Sequence, residues 1–240
     1  LKIPSGEITN PLLLLAAARS GKPVILSTGM STLGEIEEAL NVLACGYTNE
    51  NISGPGIARD AYTSSNKIRA LEENVTLLHC TTEYPAPFRD VNLRAMETIR
   101  SAFGLSTGYS DHTRGIAVAL AAVALGASVI EKHFTLDRGL EGPDHAASIE
   151  PHILTNLVEG IREIELSMGR STKSVSSSES KNRAVVRKSL VANGVIRTGD
   201  QFTTENLVVK RPGSGISAMK YWDYLGTTAK RDFHPEELID

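Results

Sequence analysis

Short β-branched runs and helix-period segments take turns along the first 168 residues, and that alternation restricts the fold more than any other feature of the chain. Residues 24–27 (VILS) read as a buried strand, after which Leu33, Ile36, Leu40 and Leu43 recur at helical spacing. Residues 75–79 (VTLLH) form a second such run, with a helix expected near 92–103. Residues 104–110 precede the Ala-rich, apolar 116–125, and 128–134 (SVIEKHF) precede an amphipathic 151–168 with Pro151 at its start. Upstream, residues 2–5 end another strand, and Asn10-Pro11 opens the helix carrying the apolar 12–18. Strand–helix units in series argue for a parallel sheet with right-handed crossovers. A doubly wound sheet and a (β/α)₈ barrel are the two closed options. No G-x-G-x-x-G follows any strand, which lowers the dinucleotide-binding version. Polar residues crowd the C-terminal strand ends, where barrel enzymes build their sites. Five units are present where a barrel needs eight, so the expectation is the last part of a barrel, with about three units missing ahead of Leu1.

Two segments interrupt the pattern. Residues 46–74 form a long polar insert around Gly54-Pro55-Gly56, with a short helix expected at 67–73. Residues 171–186 read as a Ser-rich linker dividing a partial barrel (1–170) from a small, mostly β module (187–240) with SLVA and LVVK runs. Twenty-five Lys and Arg against 28 Asp and Glu leave a net charge of −3, and no basic block exists to bind nucleic acid or an anionic membrane. The apolar run 12–18 is far short of the roughly 20 residues that span a bilayer. The start, Leu1-Lys2-Ile3-Pro4, does not read as a signal peptide, and two cysteines, Cys45 and Cys80, suit a reducing cytoplasm.

Strand side chains alternate faces, so Ser110 shares a face with His112, and Glu131 with His133. Consecutive strands would then present His112 and His133 together at a barrel mouth, a pair suited to Mn²⁺, Fe²⁺, Co²⁺ or Zn²⁺ with positions open to water and substrate. Two hydrogen-bonded histidines without metal are the alternative. Lys2, Ser5 and Ser27 stand at neighbouring strand ends, and Ser27-Thr28-Gly29-Met30 offers backbone N–H groups, either for a phosphate or carboxylate or simply for helix capping. His79-Cys80 suggests a Cys/His nucleophile, but Cys80 reads better as a small buried hydrophobe. Tyr84 before Pro85 is expected to be extended and to face the mouth. Lys132 points by parity into the helix layer, away from His133, which argues against a Schiff base. Asp144, in a loop that would cover the site, suits a sugar hydroxyl or a turn equally.

Taken together, KIPSGE (2–7), ILSTGM (25–30), LLHCTTEYPAP (77–87), GYSDH (108–112), EKHF (131–134) and GPDH (142–145) resemble the sialic acid synthase family. VIRTGDQFTTENLVVKRPGSG (195–215) resembles that family's antifreeze-like (SAF) module. The resemblance implies the C-terminal five βα units of a (β/α)₈ TIM barrel followed by the SAF domain, in a domain-swapped homodimer. It implies condensation of phosphoenolpyruvate with N-acetylmannosamine or a related N-acylated sugar, releasing phosphate and a nine-carbon 2-keto sugar acid. His112 and His133 would hold Mn²⁺ or Mg²⁺. Lys2, Ser5, Ser27, Thr82 and Ser110 would bind phosphoenolpyruvate, and Thr82 stands where some relatives carry Asn. Tyr84, Glu131 and Asp144 would act on the open-chain sugar, with Arg211 reaching the partner's N-acyl group. The Thr-Thr-Glu-Tyr-Pro string also occurs in legionaminic acid synthases, which admits a 2,4-diacetamido-6-deoxymannose acceptor. Another phosphoenolpyruvate–aldose synthase and a non-catalytic carbohydrate- or ice-binding relative remain as alternatives.

Overall fold

Ladder hydrogen bonds join β1 (Lys2–Ile3), β2 (Val24–Ser27), β3 (Val75–Cys80), β4 (Ser106–Asp111) and β5 (Ile130–Lys132) into a parallel sheet whose spatial order is its chain order. The computed structural model describes residues 1–50 and 61–240, which divide into two units, Leu1–Gly169 and Arg170–Asp240. A doubly wound sheet reverses its strand order partway; this sheet never reverses, which is barrel-type winding.

The helices of the first unit follow from local signals. Asn10 caps α1 (Pro11–Arg19) by accepting from the Leu13 N–H at 3.2 Å, and Pro11 supplies the preset φ of a first helical position. Thr32 and Glu35 close a capping box on α2 (Leu33–Tyr47). Then come α3 (Ser65–Asn74), α4 (Ala95–Phe103), α5 (Ala117–Ala124) and α6 (Pro151–Met168). Leu14, Ala18, Leu40 and Leu43 from α1 and α2 pack on Leu26 and Leu77 of the sheet. A further cluster joins Met96 of α4 and Ala122 of α5 to Tyr109 of β4.

Gly108, in β4, lies between the Val129 backbone and the β3 side chain of Leu78. An added Cβ there would press on the Val129 carbonyl and sit 2.7 Å from Leu78 Cδ2. Since backbone cannot yield as a flexible side chain does, Gly108→Ala is expected to lower unfolding free energy by about 1–3 kcal/mol, read from urea midpoints.

Three expectations are corrected. The last strand, read over 128–134, keeps its ladder only over Ile130–Lys132, because Phe134 leaves β4 and makes an isolated bridge to Ile149. The insert begins two residues later than expected, since α2 continues through Tyr47; within it α3 is a full helix, with buried Lys67 paired to Glu50 at 2.9 Å. Its Gly54-Pro55-Gly56 lies outside the described residues.

In the second unit, residues 171–186 are not plain linker. They carry α7 (Ser177–Val186), opened by a Ser176–Glu179 capping box that serine-rich composition disguised. This helix belongs with the module: the Gly213 N–H donates to the Ala184 carbonyl at 2.7 Å. β6 (Ser189–Ala192) and β7 (Leu207–Lys210) pair antiparallel, followed by the short α8 (Tyr221–Tyr224). Leu190, Ile196, Phe202, Leu207 and Phe233 form their own small core.

Candidate active site

Strand register assembles the first part of the site. Cys80, Ser110 and Glu131 are paired in one row across β3, β4 and β5. With a side-chain period of two, His112 and His133 fall on that same face, just past the ends of β4 and β5. Their ring centroids are 5.3 Å apart and nearly perpendicular, at 87°. The Tyr84 ring lies against both, 4.2 Å from His112 and 5.2 Å from His133. Below them the Ser110 hydroxyl donates to Glu131 Oε1 at 2.7 Å, and Lys2 Nζ stands 3.5 Å from the same oxygen.

The tautomer of His112 follows from its partner. Its Nδ1 is 2.7 Å from the Thr81 carbonyl, which can only accept, so Nδ1 carries the proton and Nε2 keeps its lone pair. Burial, chiefly, pushes this imidazole below its ordinary pKa; the Thr81 bond opposes that and the neighbouring His133 adds to it. A neutral ring whose Nε2 keeps its lone pair, with the Ser110 hydroxyl 3.5 Å away, is the form a metal takes, and the backbone carbonyl behind it is a common orienting partner. Among the described residues no third imidazole, carboxylate or thiol joins the pair to complete a three-ligand cluster. Two imidazoles alone would leave the other positions of a bound ion to water and substrate.

The second part lies where β1 and β2 end. Gly29 N–H donates to Ser5 Oγ at 3.0 Å, and that hydroxyl is 3.1 Å from Cys80 Sγ. Gly29 is required here: a Cβ would press on Thr82 Oγ1 and come within 2.8 Å of Ser5 Oγ and 2.9 Å of Cys80 Sγ. Ser27 Oγ is buried with no hydrogen-bond partner among the described residues, an unspent polar atom of the kind a ligand satisfies. Thr28, in contrast, is committed to the Leu78 carbonyl at 2.9 Å.

Asp144 is delivered by a folded loop. Its carboxylate reaches within 3.9 Å of His133 Nδ1. The loop is held by Thr135 Oγ1 against His145 Nδ1 at 2.7 Å and by the Ile149 N–H on the His133 carbonyl at 2.9 Å. Tyr84 is 44% exposed and joined to Pro85 by a cis peptide, and its phenol is pushed up in pKa by burial first, then by neighbouring Cys80, Asp144 and Glu131. Thus Lys2, Ser5, Ser27, Thr82, Tyr84, Ser110, His112, Glu131, His133 and Asp144 all occur in the first unit. Arg211 does not: it is exposed in the second, its Nε donating to the Val186 carbonyl at 3.2 Å.

Neighbouring chemistry stands apart from this face. His79 Nε2 is tied to the Val91 carbonyl at 2.8 Å, and parity sends its ring to the opposite side from Cys80, so the two form no nucleophilic pair. Burial holds the His79 imidazole below the ordinary value of about 6.5. The unfolded chain therefore binds a proton that the folded one refuses, so this contribution to stability is whole above pH ~6.5 and declines as pH falls through and below it. His79→Gln is expected to narrow the gap between urea midpoints at pH 7.5 and 5.5. Sequence reasoning missed the Thr81 carbonyl and the His145–Thr135 staple, which left no signal; the Ser-Thr-Gly-Met amides it did single out, though not the bond from the Gly29 N–H to Ser5.

A sheet wound in chain order, with imidazoles, carboxylates and hydroxyls gathered at its strand C-termini, defines a β/α-barrel-type unit with its site at the usual end. Residues 1–173 match the NeuB family model and residues 187–240 the SAF domain model. The chain belongs to the NeuB family. It is 53% identical over 238 residues to the N,N'-diacetyllegionaminic acid synthase of Campylobacter jejuni, covering 99% of this chain and 65% of that protein. The corresponding synthase of Legionella pneumophila is 42% identical over 227 residues, 95% of this chain and 58% of that protein. A crystal structure of an N-acetylneuraminic acid synthetase from Leptospira borgpetersenii, in complex with citrate, aligns with a TM-score of 0.60 at 37% identity, over 76% of this chain and 55% of that one. The chain thus spans 65% or less of the length of these relatives.

Proposed function

We propose that this chain is the C-terminal five βα units and the SAF domain of a synthase that condenses phosphoenolpyruvate with an N-acylated mannosamine-type sugar, releasing phosphate and a nine-carbon 2-keto sugar acid. The observation that carries this reading is the His112–His133 pair, capped by Tyr84 and set over the Ser110–Glu131–Lys2 network. Identity to two diacetyllegionaminic acid synthases favours a 2,4-diacetamido-6-deoxy sugar as acceptor.

Lys2, Ser5, Ser27, Thr82 and Ser110 bind the two anionic groups of phosphoenolpyruvate, a set of one cation and hydroxyls suited to phosphate and carboxylate oxygens. His112 and His133 would hold a divalent cation, Mn²⁺ or Mg²⁺, which when bound would supply Lewis-acid polarisation of the sugar aldehyde. Tyr84 and Asp144 orient the open-chain sugar so that its aldehyde carbon meets the phosphoenolpyruvate methylene. The new carbon–carbon bond consumes the enol π pair, and the aldehyde oxygen gains a proton. Water adds to the resulting cationic carbon, giving up its own proton, and phosphate leaves as the 2-keto group forms. Glu131, between Ser110 and Lys2, holds and moves protons at this centre. Most of the rate advantage is positioning, which polar groups on rigid strands supply.

Arg211 reaches the N-acyl group of a partner subunit's sugar in a domain-swapped homodimer. A barrel part over about the first 170 residues and a β-rich part at 187–240 are in keeping with the two family matches, with α7 joined to the latter. The setting is cytoplasmic, in keeping with two buried thiols that form no disulfide. Among the described residues no helix is long and apolar enough to cross a membrane.

The test is phosphate release by the native full-length polypeptide, with phosphoenolpyruvate, Mn²⁺ and either N-acetylmannosamine or the 2,4-diacetamido sugar. Release requiring both metal and one sugar is expected, greater with the diacetamido sugar. Folded protein giving no release with either would overturn the assignment.

A further inference from the structure

Behind the two histidines, on the other face of the sheet, lies an ion pair that the proposed chemistry does not use. Lys132 Nζ is 2.8 Å from Asp111 Oδ2, with side chains 4% and 0% exposed. The two are register partners and the last residues of β5 and β4. The same Nζ donates to the Thr113 carbonyl at 2.8 Å. Asp111 Oδ1 accepts from the Thr113 N–H at 2.8 Å and from its hydroxyl at 2.7 Å.

His112 sits between Asp111 and Thr113, and both of these are tied to Lys132, the residue before His133. The sheet ladder ends at Asp111 and Lys132, so regular strand bonding no longer sets the spacing of the two histidines just beyond it. Beyond it each histidine has one backbone bond of its own, the Ala86 N–H on the His112 carbonyl and the Ile149 N–H on the His133 carbonyl, both at 2.9 Å, but these run to separate loops and the ion pair is what links the two strand ends to each other. Burying two charges is a poor way to gain stability, because well-packed apolar residues do as well or better. A buried, hydrogen-bonded charged cluster at the end of a ladder is better explained by a need for one fixed geometry.

We propose that Lys132 and Asp111 are positioning residues that set the spacing and ring orientation of His112 and His133 from the opposite face of the sheet. This deepens the reading of the two histidines as metal ligands and rests on it. Lys132 touches neither substrate nor metal, and its amine, locked in this cluster, is unavailable for Schiff-base chemistry.

The test uses the full-length polypeptide with Lys132→Met and the double variant Asp111→Asn/Lys132→Met. The single change strands a buried carboxylate and endangers folding. The double change removes both charges while Asn keeps an oxygen for the Thr113 turn, so its melting temperature is expected close to the parent's. Its Mn²⁺ affinity, measured by electron paramagnetic resonance of free ion, is expected to weaken about 10- to 100-fold. Added Mn²⁺ should recover much of kcat, a response that a merely structural role does not give. In metal-free protein the His112 Nδ1–H, followed by NMR, should exchange faster than in the parent. Double variant with parental Mn²⁺ affinity and parental His112 exchange would overturn the proposal. If the parent itself binds no Mn²⁺, the metal reading fails separately, and unchanged His112 exchange in the variant then overturns the positioning role as well.

Discussion

His133→Ala in the full-length polypeptide is expected to leave folding nearly intact and to reduce phosphate release by about a thousandfold or more. The side chain is 32% exposed and its neighbours, Tyr84, His112 and Asp144, belong to the site itself, while its backbone carbonyl, which accepts from the Ile149 N–H, survives the substitution. Surface-accessible truncations of this kind usually change stability by only about 0.5 kcal/mol. Lewis-acid polarisation is worth several kcal/mol, and ~4 kcal/mol corresponds to roughly a thousandfold in rate. The measurement pairs steady-state phosphate release with Mn²⁺ titration and thermal melting. A folded His133→Ala protein with parental turnover would remove the histidine pair from the chemistry.

Glu131→Gln should act on turnover rather than on metal. The substitution keeps the shape of the side chain and an oxygen for the Ser110 hydroxyl, but removes the negative charge facing Lys2. Loss of a positioned proton-transfer group lowers kcat by about 10² to 10⁴. Mn²⁺ affinity should stay within a few-fold of the parent, because His112 and His133 keep their partners. A variant with raised KM and parental kcat would instead assign Glu131 to ground-state binding of the sugar.

Both substitutions fall on residues whose grouping is already legible in one dimension. Strand parity alone puts Ser110 with His112 and Glu131 with His133, and the ladder register then brings those two pairs side by side. Parity likewise turned Lys132 away from the site, into the position where Asp111 meets it. What parity left open was the purpose of that lysine, since a partner on the next strand depends on register, and register is a property of the sheet. α7 was hidden for a different reason: serine is a weak helix former, and only the reciprocal Ser176–Glu179 cap makes it a start signal.

The order of strands and helices, the polar residues at the strand ends and the separate β-rich module were determined by the sequence itself. Hydrophobic periodicity and turn residues are local and survive in one dimension. The Thr81 carbonyl that sets the His112 tautomer, the loop closure that brings Asp144 to His133, and the glycine cradle over Ser5 were decided by tertiary structure alone. Each depends on backbone groups or on contacts between residues distant in the chain. A carbonyl oxygen is the same at every position, so only its place in the folded molecule gives it a role.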